Sequence, residues 1–228
     1  MAVFPLFMEM DKKKWLVIGG GQVALRKIRT LVDFGADVTV MAPDICPALS
    51  RMADQGLLTA RERSGDDILD LLKEWPAGEA APDFGVCATS DKTLNHAAAV
   101  LLKDAGVLVD SATCPEDGDF LFPSVIRREN VTVGISTGGR APGASRRLRA
   151  YMEQTLPRWV GEWAKKVGDT REWILKNAPE TGKRKEWLEK TTEALWEEYA
   201  CPGHEKTPWE AWVKELEKAE GSDGDHEL

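Results

Sequence analysis

The chain reads as an α/β protein built on a parallel sheet, and three observations predict this. A short apolar run, Trp15-Leu-Val-Ile18, ends in three glycines, Gly19 to Gly21, and passes directly into a helical pattern. Apolar runs and helical stripes then alternate as far as Asp110, with turn residues between them. The length agrees: 228 residues, 43% hydrophobic and 30% charged, suffice for one sizeable core and a smaller appendage.

The first turn carries the chemistry. Gly19-x-Gly21-x-x-Ala24 after a strand allows a tight turn and lets bare amides meet a pyrophosphate at a helix N-terminus, which makes Gly19, Gly21, Gln22 and Val23 a dinucleotide site. Ala24, Ile28, Leu31 and Val32 repeat at helical spacing, and Gly35 stops the helix. Asp37-Val-Thr-Val-Met41 is a short β-branched second strand, and Ala42-Pro43-Asp44 leaves the sheet. This completes a βαβ unit of the Rossmann type. Asp44 lies roughly twenty residues beyond the glycines, the separation at which a carboxylate accepts hydrogen bonds from the adenosine ribose. Such a carboxylate repels a 2′-phosphate, so Pro43 and Asp44 favour NAD over NADP.

A strand over Leu57 to Ala60 follows, then a helical face of Ile68, Leu69, Leu72 and Trp75 closed by Pro76, and a loop from Pro76 to Asp83. Phe84 to Ala88 is a buried strand, Thr89-Ser90-Asp91 a polar turn, and Leu94, Ala97, Ala98, Leu101 and Leu102 the next stripe. Val107 to Asp110 closes the pattern. Ligands of such sheets sit beyond the strand carboxyl ends, so Thr89 and Ser90 join the cofactor set. Phe120 to Ile126 and Val131 to Ser136 form a hairpin around the polar turn Arg127 to Asn130. A flexible loop, Thr137 to Gly143, feeds a helix from about Ala144 to Pro157.

Beyond it, Leu156, Val160, Trp163 and Val167 share one helical face, and Leu188, Thr192, Leu195 and Tyr199 another. Thr207-Pro208-Trp209-Glu210 has the form of a capping box opening a last helix with Trp212, Val213 and Leu216 on its apolar side, and Gly221 to Leu228 frays. The closely spaced tryptophans from Trp163 onward indicate a small helical domain.

Composition excludes several functions. A net charge of −8 argues against nucleic acid, and no apolar run reaches the length of a membrane span. The start lacks the features of a secretory leader, and the C-terminal Asp-His-Glu-Leu has the wrong order for a retention signal, so the expected location is the cytoplasm. Cys46, Cys87, Cys114 and Cys201 form no C-x-x-C pair, and His96, His204 and His226 lack metal-ligand spacing, so no metal is expected.

Phe4-Pro-Leu-Phe7, Val17 to Ala24 with Lys27, Ala42-Pro43-Asp44, Ala88-Thr89, Phe120 to Val125 and Ser136-Thr-Gly-Gly139 with Pro142 together resemble the precorrin-2 dehydrogenase and sirohydrochlorin ferrochelatase family of sirohaem synthesis. The resemblance covers about the first two thirds of the chain, far more than a lone glycine motif. It implies an NAD-binding Rossmann domain (residues 1–112), a hairpin-and-helix dimerisation segment (113–150) and a helical C-terminal domain (151–228). It also implies a homodimer, and a tetrapyrrole substrate, precorrin-2, whose eight carboxylates need cations and amide or hydroxyl donors. Ser136, Thr137, Gly138, Gly139, Arg140 and Arg146 are its expected contacts, with Arg147 and Arg149 nearby.

One position departs from the family. Where its members carry Asn-x-x-Asp after the fifth strand, the aspartate being given a catalytic role, this chain reads Asp110-Ser-Ala-Thr113. An unassisted hydroxyl is no general base near neutrality. Asp110 and Thr113 are the catalytic candidates, with Glu116, Asp117 and Asp119 as other acids and the option that oxidation needs no base. Metal insertion depends more on a carboxylate, so oxidation of precorrin-2 to sirohydrochlorin is favoured over chelation. The rivals are a bifunctional dehydrogenase and ferrochelatase, and a non-catalytic NAD(H)-sensing module, since a Rossmann domain alone does not settle function.

Overall fold

Five short strands, β1 (Lys14–Ile18), β2 (Asp37–Ala42), β3 (Thr59–Glu62), β4 (Phe84–Cys87) and β5 (Leu108–Ser111), pair in parallel in the order β3-β2-β1-β4-β5. The computed structural model describes residues 3–74, 81–177 and 181–201, together with Ala211, Lys214 and Lys218. Central β1 is apolar throughout its last four residues because both its faces are covered. Trp15 and Val17 join one core, whereas Leu16 and Ile18 join the other. The first core is closed by α1 (Gln22–Asp33) and α2 (Pro47–Asp54) through Ala24, Leu25, Ile28, Leu31 and Leu49. The second is closed by α3 (Gly65–Lys73) and α4 (Lys92–Asp104) through Ile68, Leu72, Ala98, Ala99 and Leu102. Strand order reverses between β1 and β4, which fixes the ligand crevice at the carboxyl end of β1.

The chain separates into two compact units, Met1–Ser124 with Ser136–Ser145, and Val125–Ile135 with Arg146–Leu228. In the first, Phe120 and Phe122 do not form a strand as expected. They pack as rings on the sheet instead, Phe120 edge-on to Trp15 at 5.9 Å and Phe122 at 5.7 Å, while Trp15 stacks on Phe84 at 4.5 Å. In the second, β6 (Ser124–Arg128) and β7 (Val131–Ile135) pair around Glu129-Asn130. The expected four-residue turn is therefore only two residues long. Glu129 takes φ 50, a left-handed conformation, to close it. Helix α5 (Pro142–Thr155) starts two residues earlier than the pattern suggested, because proline suits a first helical turn. Its Arg149 Nε donates to the Val125 carbonyl of β6, and Glu153 pairs with Arg128 at 2.8 Å.

Helices α6 (Val160–Asn177) and α7 (Thr181–Ala200) pack together, with Trp163 and Trp159 edge-on to Trp196 and Leu195 and Ile174 fully buried. Leu156 falls between α5 and α6, not on the stripe with Val160, since Pro157 ends the preceding helix.

Other differences are local. Sequence periodicity missed α2, whose mark is Pro47 in its first turn. Strand β3 begins two residues late because the Leu57 amide still bonds Met52 at the close of α2. Strand β5 is shifted by one residue from the expected Val107 to Asp110. Trp75, Pro76 and most of the loop after them, the Thr207 to Glu210 capping box with Trp212, Val213 and Leu216, the Gly221 to Leu228 tail, His204 and His226 lie outside the described residues.

Candidate dinucleotide-binding site

Each glycine of the first turn does different work. Gly19 has φ +129, and a Cβ there would lie 2.5 Å from the Ala88 carbonyl oxygen. Only glycine lets β1 run so close to the end of β4. At Gly20 a Cβ would collide with the Asp44 carbonyl, and the Gly20 carbonyl accepts from Cys46 N–H at 3.0 Å. The glycine turn and the Pro43-Asp44 turn are thus packed backbone to backbone, with the side chain of Asp44 exposed beside them. Gly21 caps α1 with no side-chain hydrogen bond, and a Cβ there would meet nothing within 4 Å. Gln22 and Val23 begin the helix as exposed residues. First-turn amides lack intrahelical partners, so this uncapped corner offers donors and positive dipole to an anion, with open space above Gly21. The donor set fits a dinucleotide diphosphate.

On the other side of the crevice the turn Thr89-Ser90-Asp91 precedes α4, with Asp91 Oδ1 capping the amides of Thr93 and Leu94 at 2.8 and 3.1 Å. Ser90 is exposed and Thr89 half-buried. Thr89 is tied to Asn95, a fully buried residue of α4, and Asn95 is in turn tied to Thr113. Sequence reasoning missed Asn95. Its signal was a polar side chain one residue after Leu94, at the edge of an otherwise apolar stripe.

Asp110 is placed differently from Thr113. Its Oδ2 lies 2.6 Å from Lys27 Nζ, and the two side chains are only 5% and 10% exposed. The same ammonium sits 4.2 Å from the centre of the Phe122 ring. Asp110 is therefore committed to an ion pair joining β5 to α1. Nearby Cys87 has its thiol pKa pushed up to about 12, first by burial and then by the negative charges of Asp110 and Asp117. Asp117 also meets His96 Nδ1 at 2.9 Å, and Asp119 meets Lys103 at 3.1 Å. Glu116 is exposed on the 3-10 turn Pro115–Asp117.

The expected substrate loop is ordered by its own polar groups. The Gly138 amide donates to Ser136 Oγ at 3.1 Å, and Thr137 Oγ1 shares a hydrogen bond with buried Ser145 while accepting from Ala141 N–H. Gly138 and Gly139 have φ 62 and 75, which their residue type permits. Arg140, Arg146 and Arg147 are exposed, whereas Arg149 spends its guanidinium on Val125 and Glu153. Among the described residues no group of three His, Cys, Asp or Glu side chains could hold a metal. No described helix is long and apolar enough to cross a membrane.

The doubly covered parallel sheet and the open glycine corner at its crossover define a Rossmann-type nucleotide-binding protein. A family described as "Putative NAD(P)-binding" matches residues 6–124. The siroheme synthase of Methylococcus capsulatus is 33% identical over 207 residues, 89% of this chain and 41% of that protein. That of a Psychrobacter species is 31% identical over 96% of this chain and 43% of its own length. Among solved structures, the precorrin-2 dehydrogenase SirC superposes with a TM-score of 0.63 at 20% identity, covering 87% of this chain and 99% of that one, and so shares the fold. The chain belongs to the family described as "Putative NAD(P)-binding", and its similarity to the siroheme synthases over most of its length agrees with the resemblance carried by its motifs. It spans about two fifths of the length of these two siroheme synthases.

Proposed function

We propose that this chain is a cytoplasmic, homodimeric precorrin-2 dehydrogenase that oxidises precorrin-2 to sirohydrochlorin with NAD. The observation that carries the reading is the open, uncapped corner at Gly21, flanked by Asp44 on one side and Thr89 on the other, in a member of this family. The first-turn amides of α1 would hold the diphosphate, and Gly21 keeps the space for it. Exposed Asp44 would take the adenosine ribose hydroxyls and disfavour a 2′-phosphate, while Thr89 and Ser90 would flank the nicotinamide. The substrate carboxylates would meet the Ser136 to Arg140 loop and Arg146, where exposed guanidinium groups can form charge-assisted hydrogen bonds.

Bound NAD supplies the hydride acceptor. Oxidation removes two hydrogens from the macrocycle, one as hydride to the nicotinamide and one as a proton to water. The protein's share is then to position the donor carbon and exclude competing poses. With Asp110 ion-paired and a threonine at position 113, no carboxylate of this pair serves as a base, and the proposal is confined to oxidation. Iron insertion needs a group to take the pyrrole protons.

The test is to mix the purified chain with precorrin-2 and NAD and follow absorbance. The expected result is one NADH per sirohydrochlorin, slower turnover with NADP, and a product that stays metal-free in ferrous or cobaltous ion. NAD binding without turnover would favour the sensing module, and a metallated product the bifunctional enzyme.

A further inference from the structure

Asn95 is fully buried, and both ends of its amide are doubly used. The backbone of Thr89 fixes which end is which. An N–H can only donate, so Oδ1 faces Thr89 N at 3.1 Å; a carbonyl can only accept, so Nδ2 faces Thr89 O at 3.0 Å. The second hydrogen of Nδ2 therefore goes to Thr113 Oγ1, 2.7 Å away. With its oxygen occupied as an acceptor, the half-buried Thr113 hydroxyl keeps its own hydrogen to give elsewhere. The loop bearing Thr113 leaves β5 beside the end of β4, where Ala112 N–H bonds the Cys87 carbonyl at 2.9 Å. That is the same rim on which Thr89 stands.

We propose that Asn95 is a positioning residue that orients the Thr113 hydroxyl to donate its hydrogen to an oxygen acceptor of the bound ligand. This rests on the dehydrogenase reading above. The acceptor is a carbonyl or carboxylate oxygen, supplied by the nicotinamide carboxamide or by a substrate carboxylate. The rim is then polarised: Asp44, an acceptor, faces hydroxyl donors at one end, and Thr113, a donor, faces an oxygen at the other.

Thr113→Val keeps the side-chain shape and removes the hydroxyl, Thr113→Ser keeps the hydroxyl, and Asn95→Asp keeps the buried volume. A carboxylate at 95 can only accept from Thr113, which turns its proton inward. The chain is titrated with NAD and with ADP-ribose, which lacks the nicotinamide, and KM and kcat are measured for precorrin-2. If the acceptor is the carboxamide, Thr113→Val weakens NAD about fivefold and leaves ADP-ribose unchanged. If it is a substrate carboxylate, KM rises about 10- to 100-fold with NAD affinity intact. Either result supports the proposal, provided Thr113→Ser stays near wild type and Asn95→Asp reproduces the valine defect.

A folded Thr113→Val with unchanged NAD affinity and KM would overturn it. So would a thousandfold fall in kcat at constant KM, which would put the hydroxyl in the chemical step. Should Asn95→Asp fail to fold, the valine and serine variants decide alone. If the wild-type chain itself binds no NAD, the dehydrogenase reading falls and takes this one with it; if it turns over and Thr113→Val is silent, only the donor role falls.

Discussion

Gly21→Asp separates folding from cofactor binding at the corner on which the account depends. The position has φ −92 and ψ −169, ordinary extended backbone, and a Cβ there touches nothing within 4 Å. It is also the N-cap of α1 and has no capping side chain. Aspartate is among the best N-caps, so the ligand-free variant should be as stable as wild type or better by a few tenths of a kcal/mol. The same carboxylate stands where the diphosphate would lie. One like-charge pair about 4 Å apart, at an effective dielectric of about 20, costs about 4 kcal/mol, or about a thousandfold in Kd. Gly21→Asn has the same shape without the charge and isolates the electrostatic share. Calorimetric titration with NAD reads the affinity, and thermal unfolding without NAD reads the fold. An aspartate variant that binds NAD as wild type does would refute the placement, and one that melts much earlier would refute the open geometry.

Lys27→Met leaves Asp110 buried and unpaired, which should cost about 3–5 kcal/mol in urea unfolding, with Asp110→Asn in the same chain restoring part of it; a loss under about 1 kcal/mol would contradict a committed ion pair. Cys87, held protonated up to about pH 12, should resist iodoacetamide in the native protein at pH 8. Because the native state binds that proton more tightly than the unfolded chain, its stabilisation is complete below pH 9 and is lost as pH rises from 9 to about 12. Replacing Cys87 by alanine should flatten stability over that range, and an unaltered alkaline slope would argue against the shift. Gly161→Ala would set a Cβ 2.6 Å from the Arg128 carbonyl oxygen, so it should cost about 1–3 kcal/mol in thermal unfolding; a neutral result would mean that α6 can draw back from the hairpin.

Much of the nucleotide-binding unit was legible because a doubly covered parallel sheet demands apolar strands, and glycines are needed where β1 nears β4 and the Asp44 turn. Gly19 and Gly20 stand where backbones approach closely, and Gly21 stands at an open corner. Strand limits were less legible. Leu57 and Leu58 look like strand residues, yet the amide of Leu57 finishes α2, and Leu58 fills the core while polar Thr59 to Glu62 makes the edge pairing. Phe120 and Phe122 alternate as a strand would, but rings that pack on Trp15 need no ladder. The polar interior was the least visible part. Partners 83 residues apart for Lys27 and 18 apart for Asn95 follow no local period, so only the fold brings them together.

The most direct test is a crystal structure of the chain grown with NAD. Diphosphate oxygens are expected within about 3.2 Å of the first-turn amides of α1, with the adenosine ribose on Asp44 and the nicotinamide toward Thr89 and Thr113. Density for NAD elsewhere, or a diphosphate held away from Gly21 while the dinucleotide binds tightly in solution, would contradict that placement.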